Sequence, residues 1–556
     1  MTTVVSKTPS GVPPSADEVG SILNTIFQAE TSQQALDASY ALTNLLIQSV
    51  GCSGFRTYNI LPPIKKAATD KKNGALRESA MLILGALFER FPREHPLSEV
   101  VFLLQDGGVL NLALDLLADK GAVVRDAAQY AIDALFACLK PEAMVNALLP
   151  AVSAYLNQST AKWQGFVGAY SLIEKMATKA QMGTGPLEEE REKDLLREAM
   201  GKTLKDLIPL VESGMHDLKN EVAKKAIKAM NALTTLLSND DVAPRIPLLI
   251  KTMEQPSEQT LQKAIHALSQ TTFVAIVTSP VLALLTPLLE RSLNAPTTPQ
   301  ETLRQTVVVV ENLTKLVHDP AEARTFLPKL KPGVQRVKDR ASLPEVRELA
   351  TRALDVIEKA MADKDVAAGV VVKITPEEVL AVLEAKIQEH GGLARPEDAT
   401  LYALGKNYVA EMVREDVNCR MHDRIPACIA PYLRGLLHED KHDAVATAVQ
   451  EHFIEEDHRK FGKPAPEDPN EVEIVNANFS LAYGGMLLLS HTNLRLLKGH
   501  RYGLCGRNGA GKSTLMRSIA NEKLEGFPPQ SEVRTCFVEH NQGEDADLSI
   551  FEYVSK

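Results

Sequence analysis

Apolar residues recur at helical spacing along most of the chain, from about residue 17 to residue 361. Apolar positions lie three and four residues apart, and glycine, proline or polar stretches separate one such segment from the next, which predicts a long series of helices. A short pattern begins several of them: an aliphatic residue, often an arginine, two variable positions and a small residue. The clearer copies are residues 76–80, 124–128, 222–226, 303–307 and 346–350, and weaker copies begin near residues 165 and 260.

Successive copies of this pattern begin 48, 41, 57, 38, 43 and 43 residues apart. Most of these spacings fall near the ~40–47-residue period of HEAT and armadillo repeats, in which helical pairs stack into a solenoid. The longest spacing contains an acidic insert at residues 188–192, which we interpret as a surface loop. We therefore predict a disordered N-terminus, 1–16, and a HEAT-repeat array, 17–361, with a curved face suited to a large partner. The alternative is an irregular helical domain with chance spacing.

A second helical region follows a break in the pattern. Residues 362–375 are poor in helix formers and are predicted to be a linker. Thr375, Pro376 and Glu378 then form the sequence of a capping box with proline at the first helical position. We predict a compact bundle of about four helices at 376–458, with breaks near residues 391–392, 418–426 and 438–440.

The periodicity changes again after a proline-rich linker at 459–470. Residues 472–475 and 493–497 alternate between apolar and polar side chains, and 486–489 are a short apolar run, all of which are strand signals. The predicted fold class is therefore mainly α: a HEAT solenoid, a small helical bundle, and the α/β start of a P-loop domain at 471–556.

One motif in this last segment carries chemistry. The pattern G-x-x-x-x-G-K-[ST] is satisfied within nine residues: Gly506, Arg507, Asn508, Gly509, Ala510, Gly511, Lys512, Ser513 and Thr514. Glycines let successive backbone N–H groups point at phosphate oxygens, the lysine adds a charge for the β- and γ-phosphates, and the serine hydroxyl is a ligand for Mg²⁺. The sequence predicts a buried strand at 502–505 before this loop and a helix after it. A glycine-rich turn without a ligand is the alternative.

Composition and charge limit the other functions. The net charge of −10 and the pI of about 5.8 give no global attraction to nucleic acid, so an RNA contact would have to be local. Six scattered cysteines indicate a reducing compartment. The longest apolar stretch, 273–289, is interrupted by proline and polar residues, and the N-terminus has no apolar signal core. We therefore expect a cytoplasmic protein that does not span a membrane.

These features together resemble the fungal translation elongation factor 3 family, whose members join HEAT repeats to ABC-F-like cassettes. The resemblance extends over essentially the whole chain, which corresponds to about the first half of a family member. The similar stretches are residues 272–275, 479–485, 506–521, 525–528 and 536–540. The assignment within the family stays open between the elongation factor itself and its prion-forming or mRNA-export-type paralogue.

The resemblance implies an ATPase that uses ATP and Mg²⁺ and acts on the ribosome, with the HEAT arm in contact with both subunits and with tRNA or mRNA-associated factors as further partners. It implies that Tyr483 stacks on adenine, that residues 506–514 hold the phosphates, and that Ser513 helps to hold Mg²⁺. It places the Q-loop position near Glu539 and His540.

The 556 residues contain no L-S-G-G signature, Walker B aspartate or switch histidine. We therefore expect weak nucleotide binding with negligible hydrolysis from this chain, because water positioning and a partner cassette would be missing. The leading hypothesis is a ribosome-associated ATPase of translation, acting in elongation with E-site tRNA release or in termination and recycling. The second is a non-catalytic HEAT scaffold or mRNA-export-type protein that binds a large partner, with ATP binding as a regulator.

Overall fold

The computed structural model describes the chain in segments. These are residues 13–49, 52, 54–104, 108–181, 187–237, 239, 241–271, 277–317, 320–361, 374–390, 399–418, 421–437, 441–461, 473–483, 486–504, 511–521 and 527–538. The described residues form two compact units, and each is considered by itself. The larger unit contains helices α1 to α23, and the smaller contains two strands and helix α24.

The first nineteen helices follow one another as the apolar pattern predicts. They are α1 (Ala16–Phe27), α2 (Ser32–Ser49), α3 (Gly54–Thr57), α4 (Leu61–Ala68), α5 (Gly74–Glu94), α6 (Ser98–Leu103), α7 (Leu110–Leu116), α8 (Ala122–Cys138), α9 (Pro141–Ala143), α10 (Leu149–Leu156), α11 (Trp163–Lys179), α12 (Leu187–Met215), α13 (Asn220–Thr234), α14 (Ile246–Glu254), α15 (Glu258–Ser269), α16 (Ser279–Asn294), α17 (Gln300–Lys315), α18 (Pro320–Arg340) and α19 (Pro344–Met361). A π-helical turn, Met144–Leu148, joins α9 to α10.

Every copy of the repeated sequence pattern lies at the start of the second helix of a pair. These second helices are α5, α8, α11, α13, α15, α17 and α19. Several pack directly on the next second helix, as α5 does on α8, α11 on α13, and α17 on α19. The small residue of the pattern is fully buried at Ala80, Ala128, Ala226 and Ala350. Because alanine adds little bulk, neighbouring helices approach closely at these points, which is how a repeat stack forms one continuous core.

Three of the four arginines of the pattern donate a hydrogen bond to the turn that precedes their helix. Nη1 of Arg77 donates to the carbonyl oxygen of Asp70 at 2.8 Å. In the same way Nη1 of Arg125 donates to Asp119 O at 2.8 Å, and Nη1 of Arg347 donates to Ala341 O at 2.6 Å. Carbonyl groups in these turns have no helical partner, so a guanidinium that reaches back six or seven residues satisfies them. The arginine therefore has a structural role in these three copies.

The interpretation of residues 188–192 as a surface loop is wrong. These residues lie within α12, which spans Leu187–Met215. Glutamate is a good helix former, and acidic side chains in the first turns of a helix interact favourably with its dipole. The long spacing between two copies of the pattern is therefore taken up by a long helix and not by a loop.

Four further helices are present in the region where a bundle is predicted: α20 (Pro376–Glu389), α21 (Ala399–Asn418), α22 (Ile425–Leu436) and α23 (His442–Phe461). The predicted capping box is confirmed at the start of α20. Glu378 N donates to Thr375 Oγ1 at 3.3 Å, and Thr375 N donates to Glu378 Oε2 at 2.8 Å. The domain boundaries drawn from the sequence stay predictions.

The bundle packs against the array around α6. Leu97, at the N-cap of α6, lies against two glycines of the bundle, so that a Cβ on Gly405 would be 3.0 Å from Leu97 Cδ1 and one on Gly435 would be 2.9 Å from Leu97 Cδ2. An ion pair between Arg424 Nη2 and Glu142 Oε1 at 2.9 Å joins the same two parts of the larger unit. The absence of side chains at both glycines therefore allows the leucine to insert.

The smaller unit contains an antiparallel pair of strands, β1 (Glu473–Tyr483) and β2 (Met486–Leu497), and helix α24 (Lys512–Ala520). Two of the predicted strands, at 486–489 and 493–497, are parts of the single strand β2. Among the described helices of the whole chain, none is long and apolar enough to cross a membrane.

Candidate functional site

Helix α24 is held on the strands by one face. Leu515 is buried with Val475 and Ala477 of β1, and Ile519, one turn further along the helix, packs against this cluster. Residues four apart lie on the same side of a helix, so these two contacts fix the rotation of α24. Apolar side chains of β2 and the loop after the helix complete the cluster: Leu489, Leu494, Leu496 and Phe527. The strands therefore determine where the helix begins and which way its first turn faces.

The helix begins at Lys512, within the glycine-rich motif. Gly511 is its N-cap, with a φ of 89°, a left-handed conformation that side chains other than glycine disfavour. The carbonyl oxygen of Gly511 accepts the N–H of Leu515 at 2.8 Å. As a glycine, the N-cap residue has no side chain with which to cap α24. The first N–H groups of a helix have no helical partner, so this end carries a partial positive charge and is suited to an anion.

Three motif side chains form the first turn of α24. Ser513 is exposed, and Lys512 and Thr514 are half-buried. The lysine therefore adds a positive charge, and the serine a hydroxyl group, at the end of the helix whose dipole already favours a phosphate. This donor set fits a nucleotide phosphate with Mg²⁺, since the serine hydroxyl is a hard oxygen ligand. Residues 506–510, which the sequence predicts to curl around the phosphates, lie outside the described residues.

The prediction of a buried strand at 502–505 is wrong for the residues described, 502–504. They adopt no regular structure, and Tyr502 is 54% exposed. The Tyr502 hydroxyl instead accepts the N–H of Leu497 at 2.8 Å, at the end of β2. A buried strand needs a neighbouring strand and a cover, and in the part of the chain that the structure describes the sheet contains only β1 and β2.

The remaining predicted site residues lie at or beyond the edges of the described segments. Tyr483 is the last residue of β1, where it is paired with Met486, but its side chain is outside the described part. Glu539 and His540 also lie outside it. Adenine stacking by Tyr483 and a Q-loop role for Glu539 or His540 therefore stay predictions.

The structure adds side chains around the site that the sequence did not single out. Arg495 Nε pairs with Glu473 Oε2 at 2.7 Å, and Asn493 Nδ2 donates to Asn476 Oδ1 at 2.8 Å, across β1 and β2. These cross-strand pairs help to fix the register of the strands that support α24. Their signal in the sequence is weak, because polar pairs on a strand become recognisable only when the register is known.

Comparison with protein families agrees with both parts of the architecture. A family described as "EF3 N-terminal HEAT repeat" matches residues 36–186, and one described as "Elongation factor 3/GNC1 HEAT repeat" matches residues 259–368. A third, described as "ABC transporter", matches residues 489–531, which include the glycine-rich motif and α24. The HEAT-repeat solenoid predicted from the spacing of the pattern is thereby confirmed.

Curated relatives match over most of the chain. The "[NU+] prion formation protein 1" of Saccharomyces cerevisiae is 38% identical over 92% of this chain and 41% of its own length. The "mRNA export factor elf1" of Schizosaccharomyces pombe is 35% identical over 97% of this chain and 49% of its own length. The "Elongation factor 3" of Phytophthora infestans is 34% identical over 80% of this chain and 41% of its own length. The chain thus spans between two-fifths and half of these relatives, and it belongs to the elongation factor 3 family.

Proposed function

We propose that this chain binds Mg·ATP through residues 506–514 and that it acts as part of a ribosome-associated ATPase of translation. The main support for nucleotide binding is the geometry at the start of α24. The helix begins at Lys512, directly after a left-handed glycine whose lack of a side chain leaves the N-cap position without a side-chain oxygen. The β- and γ-phosphates would lie at this end, with Lys512 as their counter-charge and Ser513 as a ligand of Mg²⁺.

The roles of the other site residues follow from the family resemblance. Tyr483 would stack on adenine, and Gly506 to Ala510 would supply backbone N–H groups to the phosphates. Glu539 or His540 would occupy the Q-loop position. Nucleotide binding without efficient turnover is the activity we propose for the 556 residues, whereas ATP hydrolysis is proposed for the full-length family member.

The nucleotide proposal is tested by binding of a fluorescent ATP analogue with Mg²⁺ to the purified chain. Lys512→Ala should abolish measurable binding, because it removes the charge that faces the phosphates. Met516→Ala is the matched control. It changes an exposed side chain on the same helix, one residue after the buried Leu515, and should bind the analogue as the unchanged chain does. Equal binding by the Lys512 variant would contradict the proposal.

The translation role rests on the relatives whose printed name is elongation factor 3 and on the HEAT array, whose extended surface suits a large assembly. Ribosomal subunits are the proposed partners, the cytoplasm is the proposed location, and tRNA or mRNA-associated factors are further candidates. The test is co-sedimentation of the full-length protein with ribosomes, with and without ATP. Retention should depend on ATP and be lost with Lys512→Ala.

A second candidate is a HEAT scaffold in which ATP binding only regulates the association with a large partner. One relative is named as an mRNA export factor, and the helical array makes up most of the described chain. The two functions differ in their response to nucleotide hydrolysis. A partner that is retained equally with ATP and with a non-hydrolysable analogue, and is released by neither, would favour the scaffold.

A further inference from the structure

The exposed apolar residues of the helical array are not scattered. Among its described residues, the large apolar side chains that are well exposed are Val123, Trp163, Leu218 and Leu343. Each lies within two residues of the start of a second helix, namely α8, α11, α13 or α19. Leu218 is 100% exposed. Since all second helices begin on one edge of a repeat stack, these side chains share that edge.

Lysines accompany the apolar residues at the first part of this edge. The turns before α5, α8, α11 and α13 are residues 69–73, 117–121, 157–162 and 216–219. Each carries at least one exposed lysine. They are Lys71, Lys72, Lys120, Lys162 and Lys219, none of which has an ion-pair partner among the described residues. We call these four turns, with Val123, Trp163 and Leu218, the basic turn edge.

The acidic residues in the same turns are already engaged. Asp70 Oδ1 accepts the N–H groups of Lys72 and Asn73, at 2.8 and 2.7 Å. Asp119 accepts Gly121 N at 2.8 Å and is paired with Arg77, and Asp217 accepts Lys219 N at 2.7 Å. The aspartates therefore hold the backbone of their own turns, and the lysine side chains are exposed. Five lysines against three aspartates leave these four turns with a net positive charge, on a chain whose net charge is −10.

The neighbouring turns of the edge are connected by packing. Arg77, after the first turn, reaches Asp119 in the second at 2.7 Å. A Cβ on Gly168 of α11 would lie 2.4 Å from Leu117 Cδ1 in the second turn. A Cβ on Gly214, just before the fourth turn, would lie 2.1 Å from the Tyr170 hydroxyl of α11. The edge therefore presents lysines and apolar residues in a connected row.

The later turns of the array lack this charge. The turns before α15, α17 and α19 are residues 255–257, 295–299 and 341–343, and they contain no charged residue. The last of them still exposes an apolar residue, Leu343. The combination of charge and exposed apolar side chains is thus confined to the second, third and fourth turns, and the first turn carries charge alone. Leu343 provides a matched control that has only the apolar component.

We propose that the basic turn edge binds an extended segment of a partner protein in which acidic residues surround regularly spaced apolar side chains. Adjacent helical pairs lie ~10 Å apart, and a chain in the extended polyproline II conformation has three residues per turn and advances ~3.1 Å per residue. An apolar side chain at every third residue would therefore face the array and meet successive turns. Exposed leucine and valine side chains have no complement in a phosphate backbone, which favours a protein over a nucleic acid. The proposal is independent of nucleotide binding.

The probe for the test is a fluorescein-labelled peptide of about 12 residues, built from Glu-Leu-Glu units, whose length matches four turns. Binding to the 556-residue chain is followed by anisotropy and by the fluorescence of Trp163, the sole tryptophan of the sequence, which lies on the proposed surface. The variant K120E/K162E/K219E, which reverses exposed charges, should weaken binding at least about tenfold. Leu218→Ser should weaken it roughly fivefold or more.

The control Leu343→Ser removes an exposed leucine from a neutral turn and should leave the peptide affinity unchanged. A 12-nucleotide oligouridylate, a probe with comparable negative charge but no aliphatic side chains, should bind more weakly and respond to the lysine variant alone. The proposal is overturned if the peptide does not bind, if Leu218→Ser and Leu343→Ser have the same effect, or if the oligonucleotide binds more tightly than the peptide.

Discussion

The carboxyl group of Glu99 on α6 accepts the hydroxyl of Tyr408 on α21 at 3.1 Å, although 309 residues separate them in the sequence. Tyr432 on α22 donates to the same oxygen at 3.0 Å. All three side chains are buried where the bundle meets the array. A buried carboxyl group with polar partners on a second element costs free energy unless those partners are present, so the contact favours one way of docking the bundle.

Glu99 should make stability depend on pH. Burial raises the pKa of its carboxyl from 4.5 to about 8, against the hydrogen bonds from Tyr432 and Tyr408, which lower it. The folded pKa lies above the unfolded one, so the unfolded chain releases the proton first as the pH rises. The protonated Glu99 carboxyl group therefore makes its full contribution to the free energy of unfolding below about pH 4.5, and this contribution is lost as the pH rises through 8.

Glu99→Gln removes this titration, and thermal unfolding at pH 5 and pH 8.5 measures the effect. At each pH, the melting temperature of the variant is subtracted from that of the unchanged chain. This difference should be smaller, or more negative, at pH 8.5 than at pH 5. Glu348→Gln, an exposed carboxylate on α19, serves as the control and should leave the pH profile as it is. A pH-independent difference between the chain and the Glu99 variant would show that the carboxyl group does not titrate in this window.

The arginines of the repeated pattern should differ strongly in their contribution to stability. Arg77 forms an ion pair with Asp119 in which the two side chains are only 15% and 8% exposed. Arg77→Ala should lower the free energy of unfolding by about 3 kcal/mol, because Asp119 would remain buried without its counter-charge. Arg304 occupies the same position of the pattern but pairs with an exposed Glu301.

Arg304→Ala is therefore the natural comparison and should cost less than about 1 kcal/mol. Urea unfolding followed by the fluorescence of Trp163 measures both variants in the array. If both variants lost the same free energy of unfolding, the ion pair between Arg77 and Asp119 of the next repeat would add no stability beyond what the arginine contributes within its own helix.

How far the sequence predicts this molecule depends on how local each signal is. Helix starts were predictable because the pattern around Val124 or the capping box at Thr375 is written in neighbouring residues. The docking of Glu99 on Tyr408 has no such signal, since its partners lie hundreds of residues away. The strand predicted at 502–505 failed for a related reason. An apolar run indicates burial, but whether residue 502 enters a sheet depends on a strand elsewhere in the chain.

Because α10 and α11 approach closely, replacing the glycine at their contact should lower the stability of the chain. A Cβ on Gly165 would lie 1.9 Å from the hydroxyl oxygen of Tyr155, which is fully buried and donates to Asp115 Oδ1 at 2.8 Å. Gly165→Ala should destabilise the chain by about 1–3 kcal/mol, because a rigid ring and its hydrogen bond must move. Gly20→Ala, on α1, meets nothing within 4 Å and should instead stabilise by about 0.5–1 kcal/mol. Differential scanning calorimetry measures the change in melting temperature of each variant, and a change of the same sign in both would contradict this packing.

The packing of α24 on the strands should control how well the nucleotide site binds Mg·ATP. Leu515 holds α24 on Val475 and Ala477, while Lys512 and Ser513 lie two to three residues earlier, in the first turn of the same helix. Leu515→Ala should therefore weaken Mg·ATP binding by roughly tenfold, since a helix that is free to tilt no longer keeps its N–H groups and its lysine aimed at one point. Calorimetric titration with Mg·ATP measures the loss, and Met516→Ala, with a side chain that is 48% exposed, should bind as the unchanged chain does. If both variants bound equally well, the strands would contribute nothing to the orientation of the helix, and the loop at 506–510 alone would define the site.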